Sequence, residues 1–190
     1  QTCSLPILLL VSDASGEERL EIHSREPGVA PKLLDNVEFG RAIDYSVSPT
    51  HDRVALTNHR HELLLIDLES QAVTVVDRSL FQRIGGVDWS PDGRWLAYGC
   101  SATHQTTEIR LYRLADPEAA DESLREGKVF PVTRPVLRDV RPAFDADGRY
   151  LYFLSYREFN PVNDTLSFAL SFPRGVRPYL ITLQADLPNP

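Results

Sequence analysis

The chain has 190 residues, enough for one or two globular domains with a sizeable core, and its 27 acidic and 20 basic side chains leave a net charge of -7. With no lysine- or arginine-rich block, that balance excludes a general nucleic-acid surface, and two cysteines, Cys3 and Cys100, are too few for a disulfide framework or a cysteine-based zinc site. The one apolar run near the start, residues 5–11, is too short to span a bilayer and has no basic residue before it, so a buried strand, no membrane partner and a cytoplasmic location are expected.

In chain order, residues 1–41 offer strands at 7–12, 19–23 and 32–34, the second, third and fourth strands of a unit that lacks its first. Residues 42–78 read as four strands at 42–47, 53–57, 62–68 and 72–76. Residues 79–133 give 86–90, 94–99, 108–114 and 129–133, with a polar, acid-rich insertion at 115–128 that reads as a loose flap. Residues 134–190 give 141–144, 150–156, 165–172 and 178–183. Methionine is absent and the chain starts on glutamine, which reads as a piece of a longer protein.

The parsing rests on one hairpin, Trp89-Ser90-Pro91-Asp92-Gly93-Arg94-Trp95. Its proline presets φ, its aspartate bonds the backbone ahead and its glycine accepts positive φ. The same pattern surrounds Arg53 and Arg149. Arg53 to Arg94 is 41 residues and Arg94 to Arg149 is 55; removing the 14-residue insertion restores 41. A fixed period of this length marks a repeat architecture. Four-stranded units of that size point to an all-β fold, a β-propeller arc of about four antiparallel four-stranded blades, the first incomplete, cut from a larger propeller. A twisted β-sandwich also shows short, evenly spaced strands, but recurrence of one turn favours the propeller. Trp89, Trp95, Phe144, Tyr150, Tyr152 and Phe153 are then expected to pack between blades.

The hairpin resembles the aspartate-rich propeller repeats of the Tol-system translocation protein, prolyl oligopeptidase-type propellers and tricorn protease. Pro142-Ala143-Phe144-Asp145-Ala146-Asp147-Gly148-Arg149-Tyr150-Leu151-Tyr152-Phe153, then Ser167-Phe168-Ala169-Leu170-Ser171-Phe172 and the tail Pro188-Asn189-Pro190, narrow this to the closing blades of the larger propeller of tricorn-type proteases. The resemblance implies a multidomain serine peptidase as parent. It also implies that this propeller is non-catalytic and filters or channels peptides to a core carried elsewhere, so the parent's other domains are expected partners.

The residues themselves show no G-x-S-x-G elbow, no phosphate loop and no dinucleotide fingerprint, and neither an enzymatic site nor a cofactor is expected. His59 and His61 would share a face if extended, but a third and fourth metal ligand are missing, so no metal is expected. Asn163-Asp164-Thr165 is a glycosylation sequon by letter only. In a four-stranded meander the loops after each second strand emerge with the connections between blades, opposite the Ser-Pro-Asp-Gly turns. That rim would carry His59, Arg60, His61, His104, Arg138, Tyr156 and Arg157, cationic and aromatic groups able to hold a peptide. A stand-alone propeller that docks a protein is the alternative reading. The apolar faces at the two ends of the arc are expected to associate, as homo-oligomers or with further blades.

Overall fold

Successive residues of a strand point to opposite faces, and here both faces are apolar, so each interior sheet must be covered on both sides. The computed structural model describes residues 7–14, 16–24, 26–158, 161–163, 170–171 and 175–188. The first sheet is β1 (Ile7–Ser12), β2 (Arg19–Ser24) and β3 (Lys32–Leu33). The second is β4 (Ala42–Val47), β5 (Arg53–Asn58), β6 (Glu62–Asp67) and β7 (Val73–Arg78). The third is β8 (Gly85–Trp89), β9 (Trp95–Ser101), β10 (Thr107–Arg113) and β11 (Lys128–Pro131). The fourth joins β12 (Asp139–Phe144) and β13 (Tyr150–Ser155) to β16 (Arg177–Thr182), while β14 (Val162–Asn163) and β15 (Leu170–Ser171) form a separate ribbon. All these pairings are antiparallel.

The sheets stack as blades, and the core is divided into the layers between them. Val54 and Leu56 of β5 turn toward the first sheet and meet Leu9, Leu20, Leu34 and Phe39. Ala55, between them, turns the other way and joins Leu96 and Tyr98 of β9. Ala97 turns on again, to Leu151 and Phe153 of β13. The second layer is also polar: the fully buried Tyr98 donates its hydroxyl to Asp77 at 2.7 Å, and Arg110 reaches Asp77 at 2.9 Å. Burial, and then that carboxylate, push the Tyr98 phenol far up from its ordinary range.

Each hairpin turn braces its neighbour. Within one, Ser90 Oγ donates to Asp92 at 2.5 Å and accepts from Trp95 N at 2.9 Å, while Gly93 takes φ 68°. Between turns, Thr50 Oγ1 donates to Asp92 O at 3.2 Å. The inner strands are tied in series: Trp89 Nε1 donates to Ser46 O at 3.0 Å, and Phe144 N donates to Asp88 at 2.8 Å. Trp89 is buried in the layer below it.

The structure departs from the sequence reading in four places. β13 pairs directly with β16, so the strand expected fourth in the last unit stands third. Of the strand expected at 165–172, β15 pairs with β14 instead, and residues 164–169 and 172 lie outside the described residues. The insertion is folded down: Asp121 caps a 3-10 turn, Asp116 N donates to Leu124 O at 2.9 Å, and Arg113 donates to the carbonyls of Ser123 and Glu126. Tyr152 is exposed on the uncovered face of the last sheet, and Trp95 is half-buried against Phe130, so neither packs as Trp89 and Phe153 do. The uncovered face of the first sheet shows Leu8, Leu10 and Leu33. Cys100 is a buried free thiol whose pKa burial pushes up, and Cys3 lies outside the described residues. Among the described residues no helix is long and apolar enough to cross a membrane.

Candidate functional site

The loops after β5, β9 and β13 are stitched to the connections that enter the next strands on the same side. Ser79 N donates to His61 O at 2.9 Å, and Gln82 Nε2 donates to His104 O at 2.9 Å. Thr107 N donates to Leu137 O and Tyr156 N to Arg138 O, both at 2.9 Å. One end of the molecule is therefore rich in loops, and the Ser-Pro-Asp-Gly turns lie at the other.

Beneath these loops each of the last three sheets holds a buried carboxylate paired with an arginine. Glu62 accepts from Asn58 Nδ2 at 2.7 Å and from Arg78, and these bonds, the Asn58 one first, hold its carboxyl below the usual range. Glu108 accepts from Arg110 at 2.8 Å. Asp139, 2% exposed, accepts from Arg157 at 2.6 Å and from Ser155 at 2.5 Å. A buried carboxylate needs such partners because desolvation otherwise disfavours its charge.

The seven rim residues separate into three places. His59, Arg60 and His61 form the β5–β6 turn, where His59 Nδ1 accepts from Arg41 N at 3.0 Å and His61 takes φ 62°. Arg60 faces a neighbouring cleft with Glu17, Glu18 and Asp35. His104 packs edge-on against Phe81, with ring centroids 4.6 Å apart. Arg138 is exposed and Tyr156 lies beside it, half open to solvent. Arg157 belongs to the layer below: besides Asp139, its guanidinium sits over the rings of Phe153 and Tyr179 at 5.6 and 5.1 Å. Among the described residues no group of three or more His, Cys, Asp or Glu side chains is arranged to hold a metal ion.

Of the seven, only Arg138 lines a cleft of about 550 Å3 at this end, where the beginnings of β4, β8 and β12 meet. Its floor carries Gly85, Gly86 and Gly99, and its walls carry Ile43, Asp44, Ser101, Thr107, Arg83, Arg138 and Arg141. β4, β8 and β12 each carry a β-bulge at this level. In β12 the bulge puts Arg141 at φ 53°, and in β8 it puts Gly86 at φ 66°. A Cβ on Gly86 would lie 3.1 Å from Arg141 Cα, so glycine, at its left-handed φ, lets the two bulges pack closely. Arg83, Arg138 and Arg141 are all exposed, and none is paired with an acidic side chain among the described residues. Sequence reasoning missed Arg83 and Arg141. Arg141 stands 8 residues before Arg149, the place that Gly86 holds 8 residues before Arg94, and that equivalence was the available signal.

Residues 7–190 match the family model described as the tricorn protease second beta propeller domain. The chain is 36% identical over 183 residues to tricorn protease homolog 1 of Streptomyces coelicolor, covering 95% of this chain and 16% of that protein. It is 31% identical to the tricorn protease of Thermoplasma acidophilum, covering 90% of this chain and 15% of that protein. The crystal structure of the tricorn protease superposes with a TM-score of 0.83 at 26% identity, over 97% of this chain and 17% of that one. TolB from Acinetobacter baumannii, at 14% identity and a TM-score of 0.59 over 87% of this chain and 40% of that one, shares the fold. The chain thus spans about a sixth of the curated relatives it matches.

Proposed function

This chain belongs to the tricorn protease second β-propeller family, and from that membership we propose that it is a non-catalytic peptide-handling module of a larger serine peptidase. It scaffolds the parent and gates or channels peptides toward a catalytic core carried outside this chain. The observation that carries this reading is the glycine-floored cleft where β4, β8 and β12 meet at the loop-rich end. Gly85 has open space above its backbone there, and three cations stand free on the walls. In a propeller the inner strands surround the central channel, so a ligand at this point sits at the channel mouth. Arg138 contacts the peptide, with His104 and Tyr156 beside it and His59, Arg60 and His61 on the outer rim. Arg157 acts beneath them by holding Asp139.

The uncovered faces, with Leu8, Leu10 and Leu33 at one end of the arc and Tyr152 at the other, are where other parts of the parent or a second copy of the chain pack. The test of the peptide reading is fluorescence anisotropy of labelled peptides of about ten residues, with mass spectrometry of the same samples. Saturable binding with intact peptide is expected. Cleavage by the isolated chain, or no binding at millimolar protein, would overturn it. Sedimentation tests the packing faces: concentration-dependent association is expected, and a monomer at every concentration would contradict it.

A further inference from the structure

We propose that Arg83, Arg138 and Arg141 form a carboxylate subsite that takes the acidic side chains of peptides, so that this module favours acidic peptides. The inference rests on the peptide-handling reading and adds a ligand chemistry to it. The three guanidiniums line one cleft but come from separate segments: the β7–β8 connection, the approach to β12, and the β12 bulge. Each segment is fixed through its backbone. Ile84, next to Arg83, is 1% exposed. Arg138 bridges Thr107 and accepts from Tyr156 N at 2.9 Å. Arg141 is set by its left-handed backbone against Gly86. With the backbone held in place before binding, only the three side chains remain to be ordered when a ligand arrives.

The arginines are also uncommitted, unlike their neighbours. Asp139 lies in the same wall, but Arg157 and Ser155 already hold its two oxygens. Asp44 accepts from Tyr45 N at 3.0 Å and is the one other carboxylate on the cleft. Three positive charges therefore face one free negative side chain. A guanidinium presents paired donors in a plane that matches a carboxylate. The charge is unevenly spread: the net charge is -7, but the folded insertion at the turn end carries five acids, Asp116, Glu118, Asp121, Glu122 and Glu126, against Arg125 and Lys128, which leaves the cleft a local cationic patch on an acidic molecule. An acidic peptide is repelled from that end and drawn to the cationic cleft, most strongly at low salt.

The experiment uses the 190-residue chain and three peptides of equal length with acetylated N-termini: a glutamate peptide and a glutamine peptide, both amidated, and the glutamine peptide with a free C-terminus. Arginine side-chain NMR signals and calorimetry report binding, with glutarate as a small carboxylate probe. The glutamate peptide is expected to bind about tenfold tighter than its amidated glutamine partner, to weaken as salt rises, and to shift the three arginine side-chain signals. Arg83→Gln, Arg138→Gln and Arg141→Asn each remove most of that tenfold preference, so that the two amidated peptides bind nearly alike; asparagine and, as a second variant, Arg141→Gly both tolerate the left-handed backbone. Equal affinity for the two amidated peptides overturns the subsite while the peptide reading stands, as does a gain confined to the free C-terminus. Glutarate shifting the arginines with no peptide bound leaves the carboxylate site standing and overturns the peptide reading. Silence from glutarate and all peptides overturns both.

Discussion

The two ends of the blades are built from the same strands and behave oppositely. At the turn end polar groups are consumed internally: Ser90, Asp92, Thr50 and the indole of Trp89 bond to their own turn or to the next blade. At the loop-rich end the polar groups lie in two tiers, buried carboxylates locked by arginines below and exposed cations above. A repeat protein can thus hold its shape with one end and offer the other to a ligand, since loops can vary where a rigid scaffold positions them.

The largest break in this contrast is Trp89→Ala. It removes a buried indole and its bond to Ser46, and a loss of about 3–5 kcal/mol is expected in urea denaturation; a loss below about 1 kcal/mol would mean that the inner strands are not tied there. Asp139→Ala is next, at about 3 kcal/mol, the low end for a broken buried pair because Arg157 remains partly exposed. It tests the lower tier of the loop-rich end and should also loosen Arg157 from the Phe153 and Tyr179 rings. Gly93→Ala is expected to cost about 1–3 kcal/mol: Gly93 has φ 68°, and a methyl there would sit 1.9 Å from Thr50 Oγ1. Gly16→Ala, with φ 95° but open space around it, should cost less, and equal losses would show that the turns do not brace one another.

Acid sharpens the same contrast. Glu62 is a stronger acid folded than unfolded, so its contribution is fully present above the unfolded carboxylate range, near pH 4.3. That contribution is lost as pH falls through the lower folded value. Thermal melts should drop below that range, and Glu62→Gln should lower stability at pH 7 and flatten the acid slope. The smallest expected effect is at the upper tier: His104→Ala and Arg138→Gln should change stability by less than about 0.5 kcal/mol while Arg138→Gln weakens ligand binding.

The blades were legible because their signal is local and repeated. Proline, aspartate and glycine fix a hairpin within four residues, and the 41-residue interval between equivalent arginines carries it along the chain. The split between two ends followed from meander topology alone. The exchange at β16 was not legible, because Pro178 and its neighbours pair with a strand more than twenty residues upstream, across β14 and β15. The rim was legible as a set of loops but not as a cleft. Arg157 looked like a free cation because its partner Asp139 lies beyond the reach of local pattern. Arg83 and Arg141 were missed because their convergence depends on a bulge and on three sheets meeting. The folded state of the insertion likewise depends on Arg113, which leaves β10 to bond carbonyls ten and thirteen residues ahead.

The division of labour between the ends is tested most directly by mapping where a peptide touches. A peptide bearing a photoreactive group, bound to the chain and cross-linked, should label the segments around Arg83, Ser101–Thr107 and Arg138–Arg141. Labelling concentrated on Ser48–Arg53 and Ser90–Arg94 instead would contradict the account.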